Sequence, residues 1–183
     1  MNDERDSLVA ELRAQIRQLE ARVQELSRDA LTGVWGRGVL DHALGTELAR
    51  ARRFGRHLGL LMVDVDHFKA VNDTHGHPVG DRTLQAVAET LQRYVRDCDT
   101  LARYGGEEFC ILVDNASRDG LLILGERVRG AVETTLRRPA VTVSVGCALS
   151  TASDTPVTLL ERADRALYAA KDGGRNRVCM ESR

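Results

Sequence analysis

The sequence predicts an α+β protein, an antiparallel sheet covered by helices and preceded by a long N-terminal helix. Three observations predict it. Apolar residues in 1–30 follow a heptad period with no Gly or Pro among them. From His57 onward, segments of strand and helix character follow the order β-α-β-β-α-β-α-β. Gly105-Gly106 stands between two short apolar runs, the mark of a hairpin.

In the N-terminal helix, Val9, Ile16 and Val23 form one series, and Leu12, Leu19 and Leu26 follow each by three residues. Taken as positions a and d, they place β-branched residues at a and leucine at d, which favours a parallel two-stranded coiled coil. Arg5 takes the preceding d position, so the seam frays there. A single amphipathic helix packed on its own domain is the other arrangement such a stripe permits. The stripe is narrow and flanked by Arg13, Glu20, Arg22 and Glu25, which favours the coil. The chain therefore divides into a dimerising and signalling helix, 1–30, and a globular domain, 31–183.

Thr32-Gly33 and the Gly36/Gly38 stretch break the helix. A helix follows from Val39 to Phe54, and His57–Asp64 (HLGLLMVD) reads as a buried strand. Gly80–Arg96 reads as a helix with Leu84, Val87, Ala88, Leu91 and Val95 on one face. Thr100–Tyr104 and Phe109–Val113 form the hairpin. Asp119–Leu136 is helical, Val141–Leu149 a strand, Val157–Lys171 a helix and Asn176–Met180 a last short strand. The first six elements from His57 make the split βαβ, ferredoxin-like arrangement.

Composition narrows the function. A chain of 183 residues with 43% hydrophobic and 29% charged residues buries a real core and is not disordered. A net charge of -1 argues against a general nucleic-acid binder, so phosphate contacts must be local. Arg50, Arg52, Arg53 and Arg56 read as a solvated helix end, because aromatic residues scarcely interleave with them. Cys98, Cys110, Cys147 and Cys179 are scattered without a C-x-x-C pair, which suits reduced thiols rather than disulfides or zinc. His67, His75 and His77 add no zinc spacing, and the latter two read as turn residues. No apolar run is long enough to span a membrane and the N-terminus lacks a signal-peptide pattern, so a cytoplasmic protein without membrane contact is expected.

The strand ending in Leu61-Met62-Val63-Asp64 is apolar until it meets acid. Side-chain alternation puts Asp64 and Asp66 on one side of an extended chain. The hairpin contributes Glu107 and Glu108 just after Gly105-Gly106, where glycine permits positive φ and close approach of a ligand. In the split βαβ order the first strand and the hairpin's first strand can lie side by side, bringing the acids to one sheet edge. Hard carboxylate oxygens suit Mg²⁺, which keeps waters and phosphate oxygens as its other ligands. Either acid pair alone is most simply a solvated loop; together they make a metal site the better reading.

Several strings then carry a resemblance. Arg103-Tyr104-Gly105-Gly106-Glu107-Glu108-Phe109 resembles the signature hairpin of the GGDEF family in its GGEEF form. Asp29-Ala30-Leu31-Thr32-Gly33 resembles D-x-L-T-G. Asp64–Asp73 resembles D-x-D-x-F-K-x-x-N-D, and Gly76–Asp81 resembles G-H-x-x-G-D. Ala163–Lys171 with Gly174-Arg175-Asn176 resembles A-D-x-A-L-Y-x-A-K…G-R-N. These motifs run in family order from about Asp29 to Val178. One departure is Gly36-Arg37, beside Trp35, where the family usually has Asn-Arg.

The resemblance implies a diguanylate cyclase of bacterial signalling, with a nucleotidyl-cyclase palm-like fold and 31–183 as its catalytic domain. It would condense two GTP into cyclic di-GMP. Asp64, the Val65 carbonyl and Glu107 would hold Mg²⁺, with Mn²⁺ as an alternative. Glu108 would be a further ligand or assist deprotonation of the ribose 3′-hydroxyl. Asn72 and Asp81 would meet the guanine edge, and aspartate at 81 points to GTP on both sides. Phe68-Lys69 would set backbone groups near the phosphates, beside the Gly105-Gly106 turn. Lys171 and Arg175, one helical turn apart, would neutralise the triphosphate. Arg96 and Asp99 match the R-x-x-D inhibitory pattern and would bind product in feedback, with Arg127 as a second contact. A homodimer would bring two half-sites together. The alternative is a catalytically silent cyclic di-GMP receptor or scaffold, against which the intact acids argue.

Overall fold

A computed structural model describes Arg13, Gln15 and residues 27–181. The coiled-coil expectation therefore falls almost wholly outside the described residues. At its end it is corrected: Ser27–Ala30 is not helical. Arg28 instead bridges antiparallel to Trp35, and the Asp29 N–H donates to the Val34 carbonyl at 2.8 Å. The expected boundary at residue 30 thus cuts through a small hairpin, residues 27–36.

The elements are β1 (Trp35–Gly36), α1 (Arg37–Arg53), β2 (Gly59–Val65), α2 (Phe68–His75), α3 (His77–Gln92), β3 (Thr100–Arg103), β4 (Glu108–Val113), α4 (Arg118–Thr135), β5 (Val143–Leu149), α5 (Pro156–Asp172) and β6 (Val178–Met180). The sheet order is β1-β3-β4-β2-β5-β6. Its four inner strands are antiparallel, as expected, whereas β1 and β6 join the edges in parallel. One expectation is overturned: β2 lies beside the second strand of the hairpin, β4, not the first.

Every residue of β2 is buried, because β2 is central and covered on both faces. Leu61, Val63 and Val65 join one core with Leu84, Val87 and Leu91 of α3 and Val128 and Val132 of α4. Leu60 and Met62 join the other with Leu40, Leu44 and Leu48 of α1 and Leu159, Ala163 and Leu167 of α5. The four-residue spacing of Leu40, Leu44 and Leu48 is what lays α1 on that face. Thr155 and Thr158 form a capping box at the start of α5, with Pro156 at the first turn.

The helix expected from Gly80 starts at His77 and ends at Gln92. The unexpected α2 precedes it, so His75 and His77 are helix ends rather than loop residues. Gly76, at φ 80°, turns the chain between them in a conformation that glycine adopts without strain. Among the described residues no helix is long and apolar enough to cross a membrane, and all four cysteines are free thiols.

Candidate active site

Central placement delivers Asp64 to the C-terminal end of β2, with Glu108 of β4 directly opposite and Ser144 of β5 on its other side. Asp64 is 6% exposed. Lys171, near the end of α5, sets its Nζ 2.7 Å from Asp64 Oδ2. Burial pushes the Asp64 carboxyl above its ordinary 3.8; Lys171 opposes this, and the Glu107 and Glu108 charges push it further up. The acids therefore repel one another across the sheet end; Lys171 counters that repulsion, and it is burial that leaves the carboxyl raised.

The loop Tyr104–Glu107 closes over these acids. The Tyr104 and Gly105 N–H groups donate to the Glu108 carbonyl at 2.8 and 3.3 Å, and the Val65 N–H donates to the Glu107 carbonyl at 3.2 Å. Neither Gly105 nor Gly106 has a positive φ, which corrects the reason expected for them. A Cβ at Gly105 would lie 2.6 Å from Glu108 Oε2, whereas one at Gly106 would meet open space. Gly105 makes room for a carboxylate, and Gly106 leaves the backbone open to approach.

Asp66 departs from expectation. It is buried, and its carboxylate accepts from the Thr142 and Ser144 hydroxyls at 2.7 and 2.6 Å and from the Asn176 N–H at 3.1 Å. Its oxygens are engaged in holding β5 and the segment before β6 to the end of β2. Among the described residues no three acidic, histidine or cysteine side chains are gathered around one point. The donors nevertheless fit a hard divalent ion, because Asp64, Glu107 and Glu108 are carboxylates whose mutual repulsion a cation relieves. Mg²⁺ is usually held by one or two carboxylates together with substrate phosphates rather than by a finished protein cage.

Phe68 and Lys69 open α2 just beyond β2. Phe68 is buried in the core and Lys69 is exposed. No side chain caps this helix start among the described residues, and His67 before it is left-handed at φ 56°. The first N–H groups of a helix have no partner within it. Asn72 on α2 and Asp81 on α3 lie on either side of the Gly76 turn; the Asn72 amide lies against Gly80, the residue before Asp81, and Asp81 is exposed. Arg175 does not share a helical face with Lys171, since α5 ends at Asp172 and Arg175 is left-handed at φ 60° and exposed.

Two residues to which sequence reasoning gave no role stand out. Arg103 donates to the Gly106 carbonyl through Nε and Nη2, at 3.1 and 2.6 Å, and to Asp29 Oδ1 through Nη1 at 3.1 Å. It ties the N-terminal hairpin to the loop that carries Glu107. Gly80 is the other: a Cβ there would lie 1.9 Å from Asn72 Oδ1. Both positions stood inside quoted motifs, which was the available signal.

The R-x-x-D residues lie beyond the end of α3. The Arg96 N–H donates to Asp99 Oδ2 at 3.3 Å and the Asp114 N–H to Asp99 Oδ1 at 3.2 Å. The Arg96 side chain is exposed. Arg127, on α4, lies 5.3 Å from the centre of the Tyr94 ring.

Fold and site define a class, an α+β domain with two acidic residues, Asp64 and Glu108, paired where its central strand ends beside a glycine turn. The chain belongs to the GGDEF diguanylate cyclase family, whose model, "Diguanylate cyclase, GGDEF domain", matches residues 26–177. It is 39% identical over 165 residues to diguanylate cyclase DosC of Escherichia coli, covering 87% of this chain and 36% of that protein. It is 40% identical over 129 residues to diguanylate cyclase A of Treponema denticola, covering 67% of this chain and 35% of that one. The chain thus spans about a third of the length of these curated relatives. The coiled coil and GGDEF domain of DgcB from Caulobacter crescentus, solved in complex with c-di-GMP, matches with a TM-score of 0.87 at 34% identity over 95% of each chain. Diguanylate cyclase SiaD of Pseudomonas aeruginosa, solved with its activator SiaC, matches with a TM-score of 0.86 at 35% identity, over 97% of this chain and 71% of that one.

Proposed function

We propose that this chain is a diguanylate cyclase that converts two GTP into cyclic di-GMP and two pyrophosphates. The observation that carries the reading is the direct cross-strand pairing of Asp64 with Glu108 beneath the Gly105-Gly106 turn, with Lys171 on Asp64. Asp64, Glu107, Glu108 and the Val65 carbonyl would hold Mg²⁺ or Mn²⁺. When bound, such an ion neutralises triphosphate charge and polarises the reacting phosphoryl group. Lys171 passes from Asp64 to a phosphate oxygen as substrate arrives. The uncapped start of α2 at Phe68-Lys69 offers N–H groups to the phosphates, and exposed Arg175 adds a guanidinium.

Asn72 and Asp81 read the guanine edge, Asp81 accepting from its N–H donors. The 3′-hydroxyl of one GTP attacks the α-phosphorus of the other. A phosphodiester bond forms, the bond to pyrophosphate breaks, and Glu108 takes the hydroxyl proton. The same step in the opposite sense closes the ring. Each domain offers one such site, so two copies must face each other; residues 1–30 are the proposed means of joining them. Positioning and charge stabilisation supply the catalysis. Product returns to Arg96 and Asp99, with Arg127 as a further contact, and restrains the enzyme.

The test is incubation of the purified chain with GTP and Mg²⁺, followed by mass analysis of the nucleotides, beside a Glu107→Ala, Glu108→Ala variant. Cyclic di-GMP from the parent alone is the expected result. No product from a parent stripped of bound nucleotide would turn the reading to the receptor.

A further inference from the structure

A cleft of about 210 Å³ opens at the β1 edge of the sheet, and its lining comes from two separate stretches of chain. Arg96, Asp97 and Asp99 come from the turn after α3, and Arg28 and Trp35 from the 27–36 hairpin. The second set has no part in the catalytic reading. The Arg28 guanidinium lies 4.3 Å from the centre of the Trp35 ring and donates to the Gly33 carbonyl at 2.7 Å. Trp35 is half-buried and packs against the core on the α1 face. Arg28 is exposed. The Gly36 N–H closes the hairpin on the Ser27 carbonyl at 2.8 Å, and a Cβ at Gly36 would press to 3.2 Å from that same oxygen. The pair is thus held on a tight hairpin beside the cleft.

Chemically, the two walls are complementary. Arg96 and Asp99 bring donors and acceptors suited to phosphate and to a purine edge. A tryptophan ring and a planar guanidinium are surfaces on which a purine stacks. We propose that Arg28 and Trp35 form the second wall of the product cleft and stack against a purine of the cyclic dinucleotide. This rests on the feedback reading of Arg96 and Asp99 and deepens it. The ligand would grip both the domain and the hairpin that leads back to residues 1–26, so occupancy would fix that hairpin relative to the turn after α3.

Trp35 is the only tryptophan in the chain, so its emission reports on this wall alone. The full chain, freed of bound nucleotide, is titrated with cyclic di-GMP and followed in parallel by tryptophan fluorescence and by calorimetry. The expected result is a saturable emission change with the same Kd as the heat, both abolished in Arg96→Ala. Arg28→Ala and Trp35→Ala should each weaken calorimetric binding about tenfold, and Trp35→Phe should retain most of it. Arg28→Ala removes an exposed side chain with its contacts to Gly33 and Trp35 but no core residue, so it carries the test should Trp35→Ala fail to fold. Binding that needs Arg96 but leaves emission unchanged, and is untouched in Arg28→Ala, overturns the stacking wall and leaves the product site standing. No heat from the parent overturns both.

Discussion

Gly80 shows how much one hydrogen atom can decide. It is buried at the fourth position of α3, where alanine would favour the helix by about 1 kcal/mol. A Cβ there, however, takes the space of the Asn72 amide. Gly80→Ala should therefore leave the melting temperature within a few degrees while raising the KM for GTP about tenfold, because the group proposed to hydrogen-bond the guanine edge is displaced. A falling melting temperature with unchanged KM would make Gly80 a packing residue only. At this scale the candidate acids stand out in the sequence, since their type and their place beside a glycine turn suit the chemistry proposed for them. The roles of Gly80 and Gly105 do not, because each depends on which side chain approaches it in space. Arg103 was hidden for a plainer reason: its partner Asp29 is 74 residues away.

Strands, hairpin and long helices were readable from period and punctuation, but α2 and β1 were not. Only Phe68 and Val71 of α2 are buried, too few to set a helical period, and β1 is two residues long. The pairing of β2 with β4 rather than β3 also escaped, because local pattern says which face a strand buries and not which neighbour it takes. Two predictions belong to α5, which carries Lys171. A Cβ at Gly146 of β5 would come within 2.1 Å of the Leu167 nitrogen and 2.3 Å of the Ala163 carbonyl oxygen, both backbone. Gly146→Ala should lower stability by about 3 kcal/mol in urea titration and reduce activity as α5 is pushed from the sheet; an unchanged midpoint would show that the helix yields freely. At the other end of α5, Asp154 is 4% exposed and pairs with Arg162 at 2.6 Å. Burial works to raise its carboxyl, but hydrogen bonds from Thr151 and Thr158 and the Arg162 charge outweigh it, so it lies below its ordinary 3.8. A depressed carboxyl contributes stability that is fully present above its ordinary value and lost as pH falls through the folded one. Thermal melts should thus fall as pH drops below 3.8, and Asp154→Asn should be less stable at neutral pH with a shallower acid slope. Parallel pH profiles for parent and variant would remove Asp154 from the acid response.

For the whole molecule the question is how two sites meet. In the proposed mechanism each copy presents one set of Asp64, Glu107 and Glu108, and the reaction brings two triphosphates face to face. The heptad series in 1–26 is short, and three heptads make a weak dimer alone. The association should therefore be concentration-dependent and visible in the assay. Removing residues 1–26 leaves in place the residues of the 27–36 hairpin, with the contacts of Asp29 to Arg103 and of Arg28 to Trp35, so any loss reports the missing segment rather than a damaged domain. Well below its dimer dissociation constant, the shortened chain should lose specific activity in proportion to dilution, about tenfold for each tenfold step. The full chain should hold its specific activity to lower concentration before falling likewise. Coincident dilution curves would mean that residues 1–26 do not join the halves. Flat curves for both would mean that one copy completes the reaction, and the paired-site mechanism would fall with the coil.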